Sequence, residues 1–90
     1  MIDNAFIPQP RTDIVLQDVD GESLILDNNE NLIHQLNDTA TFIWQYCNGK
    51  NTVSDIVSLL VGHYNISEED AVCDVTETIE NFKGLNLFNE

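Results

Sequence analysis

The sequence predicts a single small α+β domain in which a three-stranded antiparallel sheet is followed by three helices. The chain has 90 residues, which suffices for one hydrophobic core and is too short for a two-domain enzyme. Apolar residues first recur with a period of about two and then, after Leu36, with a period of about 3.6. Strands and helices are therefore grouped along the chain rather than alternating, which is typical of α+β domains.

Residues 1–12 precede the periodic part of the chain and are predicted to form a flexible N-terminal arm. They sustain neither a helical nor a strand period, and Pro8 and Pro10 each lack a backbone donor. The folded domain is accordingly expected to span residues 13–90.

The first two strands are predicted to form a hairpin. Residues 13–19 and 22–26 are rich in β-branched and aliphatic residues, and the Asp20-Gly21 pair between them suits the positive φ angles of a type I′ turn. A polar break then precedes a third strand at residues 31–36, which completes a meander. Its alternation places Leu32, His34 and Leu36 on one face, and Asn31, Ile33 and Gln35 on the other.

The first helix is predicted to begin after an N-cap at Asn37 or Asp38 and to end at Asn48-Gly49. The second helix starts at a capping-box pattern, Thr52 to Asp55, and runs to about Tyr64, and the third starts at Ser67 and stops at Gly84. The expected buried stripes are Ala40, Ile43, Trp44 and Cys47; Val53, Ile56, Val57, Leu60 and Tyr64; and Ala71, Val72, Val75, Ile79 and Phe82. Leu85, Leu87 and Phe88 form an apolar tail that can fold back on the core.

Charge and composition exclude several functional classes. Sixteen acidic residues against three basic ones give a net charge of −13, which repels polyanions, so nucleic acid and anionic membranes are poor partners. The start of the chain has no basic segment ahead of an apolar one, and no run of ~20 apolar residues is present. Two cysteines make no disulfide framework. We therefore expect a cytoplasmic protein.

No pattern of chemistry-bearing residues predicts an enzyme, a metal site or a cofactor. His34, His63, Cys47 and Cys73 form no closely spaced ligand pair, and the cysteines are expected to be buried or half-buried apolar residues. Glycine-rich phosphate loops and hydrolase motifs are absent from the sequence.

The third helix carries six acidic residues, whose simplest interpretation is a solvated face. Asp74 differs because it lies at the edge of the buried stripe, where a carboxylate can meet something lying alongside the helix. Phe42 lies off the stripe of its own helix and favours a surface contact.

Several segments, taken together, closely resemble the PqqD family, which comprises pyrroloquinoline quinone biosynthesis protein D and related RiPP recognition elements. The segments are Leu36-Asn-Asp-Thr-Ala40, Phe42-Ile-Trp44, Asn48-Gly49 with Thr52-Val-Ser-Asp-Ile56, Asp74-Val75 and Gly84-Leu85. The resemblance covers about residues 14–88. It implies a winged-helix-like domain with the element order predicted above from periodicity.

The resemblance also implies a peptide-binding adaptor without catalytic activity. In the family, the leader of a ribosomally made precursor peptide adds as a strand beside the third strand, in a cleft closed by the third helix. The adaptor presents that leader to a modifying enzyme, such as a radical S-adenosylmethionine, peptidase or cyclase type. The matching positions here are Asn31, Leu32, Ile33, His34 and Gln35 on the strand, and Asp74, Val75 and Thr78 on the helix.

Two other classes remain as alternatives. A structural or dimerising module of a larger assembly would use the same open strand edge and apolar tail, and a homodimer is compatible with both. A winged helix is also a DNA-binding scaffold. However, the third helix has six acidic residues and one lysine, which is the reverse of the charge needed at a phosphate backbone.

Overall fold

The computed structural model describes residues 4–89 and confirms the predicted α+β fold class. Three strands are followed by three helices: β1 (Ile14–Val19), β2 (Glu22–Asp27), β3 (Leu32–Leu36), α1 (Asp38–Tyr46), α2 (Val53–Tyr64) and α3 (Glu68–Gly84). Each strand differs from its predicted range by one residue at one end, and α1 ends at Tyr46, ahead of the predicted Asn48-Gly49. α2 and α3 end at the predicted residues.

The sheet is an antiparallel meander with the strand order β1-β2-β3. Asp20 and Gly21 adopt positive φ angles of 54° and 82°, as the predicted type I′ turn requires. The register opposes Ile25 to Leu16 on one side and to His34 on the other. Ile25 is fully buried, so this face of the sheet is the one that covers the core, and the predicted alternation of β3 is confirmed.

The helix N-termini are fixed by the side chains that the sequence indicated. Asn37 caps α1 by accepting the Ala40 N–H at 2.8 Å. Thr52 and Asp55 form a reciprocal capping box at α2, and Ser67 caps α3. α3 ends at Gly84, as predicted. The left-handed residue that turns the chain is Asn86, with a φ of 61°.

The core lies between the sheet and the three helices and contains most of the predicted stripe residues. Three predictions of burial were wrong: Val72 and Tyr64 are 36% and 38% exposed, and the Cys73 thiol is exposed. The fully or nearly fully buried apolar residues are Ile25, Ile43, Trp44, Cys47, Val53, Ile56, Val57, Leu60, Ala71, Val75, Ile79, Phe82, Leu87 and Phe88.

The N-terminal arm packs on the domain over the part that the structure describes, and residues 1–3 lie outside it. The Phe6 carbonyl accepts the Val53 N–H at 2.9 Å, and the Arg11 N–H donates to the Leu87 carbonyl at 3.0 Å. Pro8 is fully buried. The arm also forms an antiparallel bridge to the C-terminal tail. Each of these contacts joins segments that are distant in sequence, which local composition could not indicate.

A buried ion pair connects the arm to the sheet. Arg11 Nη2 donates to Asp27 Oδ2 at 2.8 Å, and Asp27 is 1% exposed. The other oxygen of the same carboxylate accepts the backbone N–H groups of Asn29 and Glu30. The carboxylate therefore holds both the arm and the turn between β2 and β3.

Candidate functional site

One edge of β3 is open. β3 pairs with β2 along its whole length, and within residues 4–89 no strand lies on its other side. An edge of this kind presents unpaired backbone N–H and C=O groups that can accept a further strand. Which residues present those groups depends on the phase of the hydrogen-bond ladder.

The phase follows from the hairpin between β1 and β2. A two-residue turn makes its flanking residues, Val19 and Glu22, a hydrogen-bonded pair. At the other end of the hairpin, Asn28 donates its backbone N–H to the Asp13 carbonyl at 3.3 Å. Hydrogen-bonded pairs recur every second residue in an antiparallel ladder. Counting from the turn or from the Asp13–Asn28 pair assigns the same residues to hydrogen-bonded pairs. Even-numbered residues of β2 therefore direct their N–H groups to β1 and odd-numbered ones to β3.

The same alternation assigns the edge groups of β3. Ile25 faces His34 in the register, so the two residues exchange backbone hydrogen bonds within the sheet. The intervening residues, Ile33 and Gln35, consequently direct their N–H and C=O groups to the open edge. Ile33 is also the most exposed large apolar residue among those described, at 67%.

A groove lies between this end of β3, the start of α1 and the C-terminal half of α3. Its main cavity has a volume of about 590 Å³. Leu36, Ala40, Phe82 and Leu85 supply its apolar lining, and Leu85 is 42% exposed. Polar side chains complete the walls: Gln35, Asn37, Glu77, Thr78, Glu80 and Asn81. The groove thus offers an apolar anchor position beside an open strand edge.

A second, smaller cavity of about 200 Å³ continues the groove toward the middle of α3. It shares Asn37, Glu77 and Thr78 with the main cavity and adds Thr39 and Asp74. Every side chain that lines it is polar, and two are carboxylates. The lining of neither cavity contains Arg or Lys, so the local field of the groove is negative.

The structure brings several of the predicted site residues together. Gln35 and Thr78 line the main cavity from opposite sides, and Asp74 and Thr78 line the smaller one. Gln35 also donates through Nε2 to Glu22 Oε1 at 2.8 Å. Ile33 lies on the open edge without lining either cavity.

The remaining predicted residues lie apart from the groove lining. Val75 is fully buried within the core, so its side chain is not accessible to a ligand. Asn31 has a φ of 56° and ends the turn before β3. Leu32 is 49% exposed at the start of the strand, and His34 lies on the core-side face with its Nε2 atom buried and without a hydrogen-bond partner.

Sequence reasoning missed most of the other residues that line the groove, among them Asn37, Glu77, Asn81 and Leu85. Asn37 was identified as an N-cap, in which its side-chain oxygen accepts the Ala40 N–H, and it also lines the groove. Glu77 and Asn81 lie three and seven residues after Asp74, a spacing that keeps side chains on one helix face. That spacing was the available signal.

A separate aromatic cluster lies on the surface between α1 and α2. Phe42 stacks on His63 with ring centroids 4.5 Å apart and contacts Tyr46 at 4.9 Å and Tyr64 at 5.7 Å. Phe42 thus connects the two helices, and its predicted surface contact with a partner stays a prediction.

The part of the chain that the structure describes has no metal-binding cluster, and one of its two thiols is buried. Residues 4–89 contain no cluster of three or more His, Cys, Asp and Glu side chains able to hold a metal ion. Burial raises the pKa of Cys47 to about 12, which keeps that thiol protonated. In the same residues, no helix is both long and apolar enough to span a bilayer.

Comparisons with known proteins agree on the fold. A family model described as coenzyme PQQ synthesis protein D (PqqD) matches residues 22–87, which is more than half of the chain. The search of curated proteins gives no significant match.

Two solved structures are similar to this chain over nearly their whole lengths. The structure described as lasso peptide synthetase B1 complexed with the leader peptide has a TM-score of 0.82 and 24% identity, and the match covers 94% of this chain and 100% of that one. The structure described as TbiB1 in complex with the TbiA(beta) leader peptide has a TM-score of 0.79 and 15% identity, with 90% and 94% covered. At these identities the similarity shows the fold.

Proposed function

This chain belongs to the PqqD family, and on that premise we propose that it is an adaptor that binds the leader of a ribosomally made precursor peptide by strand addition to β3. The observation that carries the proposal is the open edge at Ile33 and Gln35 beside an apolar-floored groove. Main-chain hydrogen bonds at such an edge supply affinity, and pockets for alternate side chains supply specificity.

The two similar solved structures support this occupant. Both are described as complexes with a leader peptide, and both share the fold of nearly the whole of this chain. The groove in this chain lies between a strand and a helix, so an added strand would contact both backbone and side-chain surfaces at once.

The proposal assigns the protein no chemistry of its own. It would act by holding the leader for a separate modifying enzyme of the radical S-adenosylmethionine, peptidase or cyclase type. Raising the local concentration of a tethered substrate is sufficient to accelerate such a reaction. The proposal includes a cytoplasmic location, where Cys47 and Cys73 would remain free thiols.

Binding of leader peptides tests the proposal directly. Synthetic N-terminal segments of precursor peptides encoded beside the gene would be titrated by calorimetry or fluorescence anisotropy. We expect a Kd in the micromolar range or tighter, about −8 kcal/mol. Failure of all these segments to bind the folded protein would refute the adaptor function.

A structural or dimerising module is the second candidate, because an open edge can also pair with a copy of itself. Sedimentation equilibrium distinguishes the two. A concentration-dependent dimer that persists with excess leader peptide would favour the structural module, whereas a monomer that binds one peptide supports the adaptor.

A further inference from the structure

We propose, resting on the function above, that the bound peptide carries a Lys or Arg two positions from its apolar anchor and that Asp74 and Glu77 select this basic side chain. The two cavities of the groove differ in chemistry, one having an apolar floor and the other an entirely polar lining. A single extended segment that lies along the groove meets both.

The order of the cavities follows from how α3 runs past the strand edge. The main cavity is lined by Gln35 and Leu36 together with the C-terminal end of α3, as far as Leu85. The smaller one is lined by Asn37 and Thr39 together with the middle of α3, from Asp74. A peptide that pairs with β3 and continues past its C-terminal end would therefore pass from the main cavity to the smaller, acidic one.

The spacing of the two side chains follows from strand geometry. The cavities are adjacent, since Asn37, Glu77 and Thr78 line both of them. Side chains on the same face of an extended segment are two residues apart, about 7 Å. We therefore expect one intervening residue between the apolar anchor and the basic residue, which is the shortest spacing between side chains on one face of a strand.

Charge determines which peptide side chain the smaller cavity accepts. Asp74 and Glu77 supply two carboxylates, the hydroxyls of Thr39 and Thr78 are additional acceptors, and no cation lines the cavity. A volume of about 200 Å³ accommodates the polar end of a Lys or Arg side chain. An acidic side chain of the peptide would meet like charge, which disfavours it.

Selection from a peptide library tests this inference and does not require the natural leader to be identified. A phage-displayed library of random linear dodecapeptides would be selected on the wild-type protein, on the D74N/E77Q double variant and on an E68Q/E69Q control. The control removes the same formal charge from α3 at residues that line neither cavity. Circular dichroism would verify that all three proteins are folded.

We expect peptides selected on the wild type and the control to share an apolar residue with a Lys or Arg two positions away. On the double variant, the apolar residue should persist and the basic one should lose its enrichment. A synthetic peptide from the wild-type selection should bind the double variant about three- to tenfold more weakly. The same peptide with norleucine in place of the basic residue should bind both proteins equally.

Two other results are distinguishable. Selected peptides without basic enrichment, or with enrichment unchanged on the double variant, would overturn the charge selection while the peptide-binding function stands. No enrichment of any peptide on the wild-type protein would overturn the peptide-binding function, and the charge selection with it.

Discussion

Proline substitution at two neighbouring residues of β3 separates the edge from the interior of the sheet. Gln35 directs its N–H to the open edge and His34 directs its N–H to Ile25, as the ladder phase requires. Proline removes one backbone donor and is tolerated in a sheet only where that donor points outward. Gln35→Pro and His34→Pro should therefore have opposite effects.

His34→Pro should reduce stability strongly. It removes an internal ladder hydrogen bond and leaves the Ile25 carbonyl without its partner, which costs ~1–3 kcal/mol, and the proline ring adds distortion. For a total of about 3 kcal/mol, a domain of this size should melt ~12–24 °C lower. Urea denaturation and differential scanning fluorimetry measure both quantities.

Gln35→Pro should leave stability within ~1 kcal/mol of wild type, since the contact that it loses is the exposed Gln35–Glu22 hydrogen bond. Peptide binding should weaken at least ~30-fold, because a peptide carbonyl at the edge loses its donor, at a cost of ~2 kcal/mol. Gln35→Ala is the matched control, because it removes the side chain and keeps the N–H. Full affinity in a folded Gln35→Pro protein would refute strand addition at this edge. Equal destabilisation by both prolines would refute the ladder phase.

Four further outcomes follow from individual side chains. Leu85→Ala should weaken peptide binding about tenfold in a titration while changing stability by less than ~1 kcal/mol, since this exposed side chain lines the main cavity. Unchanged affinity would show that Leu85 does not contact the apolar anchor of the peptide. Arg11→Ala should lower the free energy of unfolding by ~3 kcal/mol in urea denaturation, because Asp27 would remain buried without its cation, whereas the exposed Lys50→Ala control should have little effect. Iodoacetamide should label Cys73 in the native protein and Cys47 only after unfolding. Burial raises the pKa of Cys47 from 9.0 to about 12. Above pH 9 the unfolded chain therefore loses the thiol proton while the folded protein keeps it, so the free energy of unfolding should fall as pH rises. Cys47→Ala should remove this pH dependence of stability.

Some features of the groove were predictable because they depend on the family resemblance or on local geometry. Gln35, Asp74 and Thr78 were predicted and do line the cavities. Val75 was predicted beside them but is fully buried. Consecutive helix positions differ by about 100° in direction, so Asp74 can line the smaller cavity while its neighbour Val75 points into the core. The apolar period of α3 predicts Val75 in the buried stripe, and the structure confirms that assignment rather than the groove position that the resemblance implied.

The sequence by itself determined the local elements, because each depends on residues that are close along the chain. The Asp20-Gly21 pair fixed the hairpin turn, the Thr52 and Asp55 side chains fixed the start of α2, and the change of apolar period separated sheet from helices. Turn dihedrals, caps and periodicity are short-range effects, which the order of residues expresses directly.

Tertiary structure alone decided which surfaces close and which remain open. Phe6 and Arg11 hold the arm through contacts with α2, the tail and the sheet, and Val72 is left exposed on a helix whose periodicity would bury it. The outward direction of the Gln35 N–H depends on the hydrogen-bond phase carried from β1 through β2. These properties arise from the packing of segments that are far apart in sequence, and local propensities do not contain that information.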